Sequence, residues 1–166
     1  YMGAAFYAEY LANFASEDTE GWTDVANQFI TIHKHTYNAE KKLNYHGWSA
    51  DPTDSNSFWA KQSGENEGCS SEFWGRGMGW YFAALTDVLE MMPQSHADYS
   101  ALKSILAQVA AGLQQWQDKE SGVWYQLLQY DDTFVGECGS KNYLEASASC
   151  MFTYSYLKAL RLGLIP

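Results

Sequence analysis

The chain has 166 residues, enough for one domain with a sizeable core, and 46% hydrophobic against 18% charged residues exclude a disordered tail. Ten Lys+Arg against twenty Asp+Glu give a net charge of −10, which excludes the basic footprint of a nucleic-acid binder and attraction to anionic membrane surfaces. No apolar run approaches the roughly 20 residues of a membrane span, and 16% aromatics, with 7 Trp and 12 Tyr, suit faces on which sugars stack.

In chain order, Ala4–Phe14 is apolar on most sides and reads as a buried helix. A polar turn over 16–21 leads into a helix over Trp22–Tyr37, with Trp22, Val25, Ala26, Phe29, Ile30, Ile32 and His33 at helical spacing and Thr23 or Glu20 as cap. Lys41–Trp48 reads as a strand-like turn carrying His46, and Ala50–Ser71 as a long polar loop with one helical turn at Phe58–Ala60. A helix over Trp80–Met92, stopped by Pro93, has the stripe Leu85, Val88, Leu89, Met92. Tyr99–Trp116, with Asp98 as N-cap, is a third long helix with an apolar face from Leu102 to Trp116. Gly122–Leu128 is a short extended piece, Asp131–Lys141 a loop, and Leu144–Leu162 the last helix, stopped by Gly163. No linker interrupts residues 1–166, so they form one all-α domain of helical hairpins with short strand-like turns. The long loops suit a toroid of antiparallel helices better than a four-helix bundle.

Cys69, Cys138 and Cys150 are odd in number and show no CxxC spacing, so they read as free thiols rather than a disulfide framework or zinc site. His33 and His35 lie about 200° apart on a helix and cannot share a metal. No metal or cofactor site is expected. Asp87, Glu90, Asp118 and Glu120 read as solvated, and no carboxylate stands in a clearly apolar pocket where a general acid would have its pKa raised. The opening has no basic region before its apolar residues, so it is not a signal peptide and reads as the middle of a protein. The compartment stays open between cytoplasm and periplasm.

The stretch Phe73–Tyr81 (FWGRGMGWY) is the most informative. Alternate glycines let the backbone come close to something. Trp74 and Trp80 offer flat faces, and Arg76 is one of only two arginines in the chain. Aromatic faces beside a fork-shaped cation suit a sugar ring bearing a carboxylate. The other reading pairs Arg76 with a structural carboxylate such as Glu145 or Glu72. His46, between Tyr45 and Trp48 at the end of a short strand, either lines a cleft or is a buried His with one backbone partner. Glu145 either binds a substrate hydroxyl or serves its helix N-terminus and Arg76.

Together, YMGAAFYAEY, NYHGW, FWGRGMGWY, GVWYQLL and YLEASASCMFTYSYLKALRLGLIP strongly resemble the unsaturated rhamnogalacturonyl hydrolases, family 105 of the glycoside hydrolases, and the related unsaturated glucuronyl hydrolases. The resemblance covers essentially the whole chain. It implies part of a six-hairpin (α/α)6 toroid, roughly half of its twelve helices. It also implies removal of a 4,5-unsaturated uronic acid from the non-reducing end of a pectin-derived oligosaccharide, without cofactor. An Asp protonates the C4=C5 double bond and helps water add at C5, after which the hemiketal opens and the glycosidic bond is lost. His46 falls on the family's cleft His and is a possible catalytic group. Trp74, Arg76 and Trp80 fall on positions lining the sugar site, with Arg76 near the uronate carboxylate. Ser49 stands where the family usually has Asp. The family's catalytic Asp lies a few residues before the position of Tyr1, so this chain is expected to be inactive alone. It is also expected to self-associate, or to need the remainder of the toroid, through apolar residues uncovered on the first helix (Ala5, Phe6, Ala8, Leu11, Phe14) and the last (Phe152, Tyr156, Ala159, Leu160).

Overall fold

The computed structural model describes all 166 residues. Its elements are α1 (Met2–Phe14), α2 (Thr19–Thr36), β1 (Tyr37–Asn38), β2 (Leu43–Asn44), a 3-10 turn (Ser55–Ser57), α3 (Gly75–Met91), α4 (Tyr99–Gln115) and α5 (Ala146–Arg161). The helices lie in two layers. α3 packs between α1 and α5, while α2 and α4 pack on each other and on α1 and α3 respectively. Within the first layer α3 and α5 run parallel, since Gly75 faces Ala148, Gly79 faces Met151 and Asp87 bonds Lys158. In the second layer Thr23 meets His96 and His33 meets Gln108, so α2 and α4 also run parallel. The chain therefore winds as antiparallel hairpins into an arc of an α/α toroid, and one apolar core runs from Ala5 to Leu164.

Side-chain chemistry explains most of the boundaries. Asp18, rather than Thr23 or Glu20, caps α2 by accepting from the Gly21 N–H at 2.9 Å. α3 ends where Pro93 removes the next donor, and Gly163, at φ +67, turns the chain out of α5. Asp98 does sit at the N-cap of α4, but its side chain makes no capping bond. β1 and β2 pair antiparallel, Tyr37 opposite Asn44 and Asn38 opposite Leu43. Their turn lies against α4 at Gly112, where a Cβ would meet the Lys42 carbonyl oxygen at 1.9 Å.

Several expectations are corrected. α1 is not buried all round: it presents Ala5, Ala8 and Leu11 to the core and leaves Phe6 and Phe14 in solvent, Phe14 at 80% exposure. Ile32, aligned with the stripe of α2, is exposed. α3 starts at Gly75, five residues before Trp80, and α5 starts at Ala146 because Leu144 is held in an extended bridge to Tyr125. The turn in the long loop forms at 55–57, nucleated by the Asp54 side chain accepting from the Asn56 N–H, not at 58–60. Asp87 is buried rather than solvated, bonded to Tyr154 Oη at 2.7 Å and Lys158 Nζ at 2.8 Å. Of the residues expected to be uncovered, Ala5, Ala8, Leu11, Phe152 and Ala159 lie in the core, and Tyr156 is half-buried.

Candidate functional site

The loops leaving the outer layer and entering α3 and α5 meet at one end of the arc. β2 delivers His46 there, the residues before α3 deliver Trp74, and the start of α5 delivers Glu145. Three short backbone pairings fix these entries: Trp74 with Leu127, Tyr125 with Leu144, and Ala60 with Ser70. The glycines of the FWGRGMGWY stretch sit inside the helix, and what approaches them is protein. A Cβ on Gly75 would meet the Tyr125 carbonyl at 3.1 Å, and one on Gly79 would meet Met151 Cε at 2.8 Å. Gly77 admits His46 and Trp74 together, since a Cβ there would lie 3.0 Å from His46 Cβ and 3.2 Å from the Trp74 ring.

His46 and Trp74 meet edge to face with ring centroids 5.7 Å apart. His46 Nδ1 lies 3.2 Å from the Glu72 carbonyl oxygen and 3.1 Å from Ser70 Oγ. A carbonyl only accepts, so the contact with Glu72 puts the proton on Nδ1 and leaves Nε2 an acceptor on an exposed ring. The Arg76 guanidinium carbon stands 5.1 Å from the Trp74 ring centroid. Its Nη1 is 3.5 Å from Glu145 Oε1, a long contact to one oxygen, and the side chain keeps 40% exposure. Arg76 is thus oriented from two sides with most of its fork unused. Trp80, exposed one turn further along α3, meets the Tyr1 ring at 5.3 Å. Trp80, His46, Gly77, Tyr45, Ile32 and Tyr1 enclose a cavity of about 160 Å³. All four sequence-predicted residues, His46, Trp74, Arg76 and Trp80, come together at this end of α3.

Glu145 is the buried N-cap of α5. It accepts from the Ala148 N–H and from Ser147 Oγ at 2.8 Å. Burial alone would raise its carboxyl, but these donors and the Arg76 guanidinium outweigh that effect and hold it below the usual carboxylate range. It stays a structural anion and orients Arg76. Ser49 does not face this cavity; its Oγ bonds Ser57 Oγ at 2.8 Å and the Asp51 carbonyl at 2.9 Å, pinning the long loop.

Glu72 is a carboxylate pushed upward although its pocket is not purely apolar. Half-buried against Gln129 and Tyr130, it has a carboxyl raised by burial, which partners in the same contact set only partly offset. Local sequence carries no sign of this, because those partners arrive from a loop 57 residues on. A depression of about 470 Å³ lies elsewhere, between α1, α3 and α5, beside Asp87, Glu90 and Lys158. Burial would lower the Lys158 ammonium, yet bonds to Asp87 and Glu90 keep it charged. With those partners and Tyr154 it is saturated, so this patch ties helices together rather than offering donors.

The profile of the Glycosyl Hydrolase Family 88 matches residues 1–166. A glycoside hydrolase from family 105 of C. acetobutylicum superposes with a TM-score of 0.85 at 39% identity, over 99% of this chain and 42% of that one. Protein Atu3128 of Agrobacterium fabrum is 36% identical over 110 residues, 66% of this chain and 42% of its own length. An unsaturated 3S-rhamnoglycuronyl hydrolase of Alteromonas sp. is 38% identical over 60 residues, 36% of this chain and 14% of that protein. The chain thus spans less than half the length of these relatives. Because the profile runs from the first residue to the last, through both tryptophans, Arg76 and the helix that Glu145 caps, the chain belongs to glycosyl hydrolase family 88.

Proposed function

We propose that these residues form the uronate-binding wall of a glycoside hydrolase that removes a 4,5-unsaturated uronic acid from the non-reducing end of pectin-derived, rhamnogalacturonan-type oligosaccharides. The observation that carries the reading is Arg76, part-exposed beside Trp74 and oriented by Trp74 and Glu145 yet largely unpaired. A planar fork with free N–H groups between aromatic faces fits a ring that carries a carboxylate. The Alteromonas relative, named for an unsaturated rhamnoglycuronyl substrate, supports the same class.

In the reaction, a carboxylic acid gives a proton to C4 while water adds its oxygen to C5 and loses a proton. The product is a hemiketal at C5. Its ring C5–O bond opens to a ketone, leaving a hemiacetal at C1 that expels the next sugar as an alcohol. No anomeric nucleophile is required. Arg76 holds the carboxylate conjugated with the double bond, Trp74 and Trp80 hold the ring, and His46 Nε2 accepts from a hydroxyl or from water. The acid is not among these residues. Glu145 is committed to its cap and Glu72 to Gln129 and Tyr130. The 166 residues alone are therefore expected to bind unsaturated rhamnogalacturonan disaccharide without consuming it.

The test follows the ultraviolet absorbance of the conjugated double bond, which hydration destroys. The isolated chain should leave it unchanged, since proton delivery typically contributes 10²–10⁴-fold. Completed with the parts of the C. acetobutylicum relative that lie outside the matching region, the chain should consume it, and Arg76→Ala should abolish that gain at moderate substrate. Turnover by the isolated chain would transfer the acid role to Glu72. No turnover by the completed protein would overturn the reading.

A further inference from the structure

The geometry points to Gln129 as a positioning residue that sets the tautomer of His46 and so presents His46 Nε2 to the substrate as an acceptor; the inference rests on the proposed sugar site only for what Nε2 then meets. Residues 73–75 run antiparallel to 126–128 through the pairing of Trp74 with Leu127. The Gly75 N–H donates to the Gln126 carbonyl at 2.8 Å, and the Leu128 N–H to the Phe73 carbonyl at 3.0 Å. The Phe73 N–H does not return a bond to the Leu128 backbone. It donates instead to the Gln129 side chain, at Oε1, over 3.4 Å. This N–H shares a peptide with the Glu72 carbonyl, and the two groups point in opposite directions from one rigid plane. The Glu72 carbonyl oxygen lies 3.2 Å from His46 Nδ1. Gln129 on one side of the plane therefore aims the carbonyl at His46 on the other.

The Gln129 amide is itself held one way round. Its oxygen and its NH2 group have nearly the same shape, so only their partners tell them apart. The Glu72 carboxylate only accepts; it takes the Gln129 Nε2–H, with the Tyr130 hydroxyl as a further donor. That leaves Oε1 for the Phe73 N–H. At the far end the imidazole has a choice, because Nδ1 also lies 3.1 Å from Ser70 Oγ, which can donate or accept. Ser70 is buried, so its hydroxyl turns to protein partners. Facing the Glu72 carbonyl, Nδ1 carries the proton and Nε2 accepts. With that carbonyl turned away, the Ser70 hydroxyl would donate to Nδ1 and the ring proton would move to Nε2, making the exposed nitrogen a donor. Gln129 does not line the cavity beside Trp80. It acts on His46 through the peptide between Glu72 and Phe73.

The experiment reads His46 in the 166-residue chain by long-range proton–nitrogen correlation spectra at about pH 8.5, where imidazole is neutral. Its signals are identified by their loss in His46→Asn. The same proteins are titrated with unsaturated rhamnogalacturonan disaccharide by calorimetry, and circular dichroism checks that each is folded. The parent should carry its ring proton on Nδ1. Gln129→Leu, close in volume but unable to donate or accept, should shift the tautomer ratio about five- to tenfold toward Nε2–H and weaken the disaccharide by a similar factor, as for one lost hydrogen bond. Gln129→Glu sets two carboxylates face to face and should do the same. Combining Glu72→Gln with Gln129→Glu again opposes one amide to one carboxylate, and should return both readings to the parent's. A parent with its proton on Nε2 would overturn the proposal. So would an unchanged ratio in Gln129→Leu and Gln129→Glu with only the melting point lowered, which would make Gln129 a tie between loops. A shifted ratio with unchanged disaccharide affinity would uphold the hold of Gln129 on the ring and overturn the place of His46 in the uronate site.

Discussion

Glu145 shows how one residue combines a fold role and a site role. Its carboxylate closes the first turn of α5 and meets Arg76 from behind. Its pKa is held below the ordinary 4.5, so the stability it contributes is fully present above that value and is lost as pH falls through the folded-state pKa. Glu145→Gln should therefore cost about 1 kcal/mol at neutral pH, a melting point lower by roughly 2–4 °C. The gap between parent and variant should close as the pH is lowered below 4.5; melting curves across pH check it, and a pH-independent gap would mean that packing rather than charge is involved. In the sequence, Glu145 was legible only as a choice between cap and ligand, because a carboxylate at a helix start satisfies either. Arg76 and its two tryptophans were legible as a group, since three uncommon side chains lie within seven residues. The raised carboxyl of Glu72 was not, because its environment is built by Gln129 and Tyr130.

At the scale of elements, α2, α4 and the second half of α3 were readable from apolar periodicity, because each buries one face on a neighbouring layer. The start of α3 was not. Three glycines in five residues lower intrinsic helix preference, yet they are helical here, at positions where α5, the Tyr125 backbone and His46 all come too close for a Cβ. Local preference and tertiary packing conflict there, as they often do at functional sites. The same reasoning applies to Gly112 in α4. Alanine there would gain about 1 kcal/mol of helix propensity but would drive a Cβ into the Lys42 carbonyl. The hairpin is further tied to α4 by the Trp116 Nε1–H donating to the Lys41 carbonyl at 2.8 Å, so it cannot shift freely. Gly112→Ala should lose about 2–3 kcal/mol net, seen as a melting point roughly 5–10 °C lower. A melting point equal to or above the parent's would show that the hairpin yields. His46 lies two residues beyond β2, so the variant should also weaken uronate binding.

Over the whole molecule, the arc has a closed inner core and two open flanks. Met2, Phe6 and Phe14 stand exposed on α1, and Leu157 and Leu160 on α5. Apolar patches beyond a few hundred Å² are rare on monomers, so the isolated chain should self-associate, with an average mass in multi-angle light scattering that rises with concentration. A monodisperse monomer at high concentration would contradict this. The sequence showed which helices carry uncovered apolar residues but not which of their faces, because α3 claims one side of each. The central claim is that Arg76, held by Trp74 and Glu145, grips a substrate carboxylate. The most direct measurement is calorimetric binding of unsaturated rhamnogalacturonan disaccharide, as the free acid and as its methyl ester, to the parent chain and to Arg76→Lys. Lys keeps the charge but loses the two-pronged geometry, and charge-assisted hydrogen bonds are worth about 1.5–3 kcal/mol. The acid should bind the parent roughly 10- to 100-fold more tightly than it binds Arg76→Lys, and the ester should bind both proteins equally weakly. Acid and ester binding the parent with the same affinity, with Arg76→Lys altering only the melting point, would make Arg76 a structural residue and contradict the account.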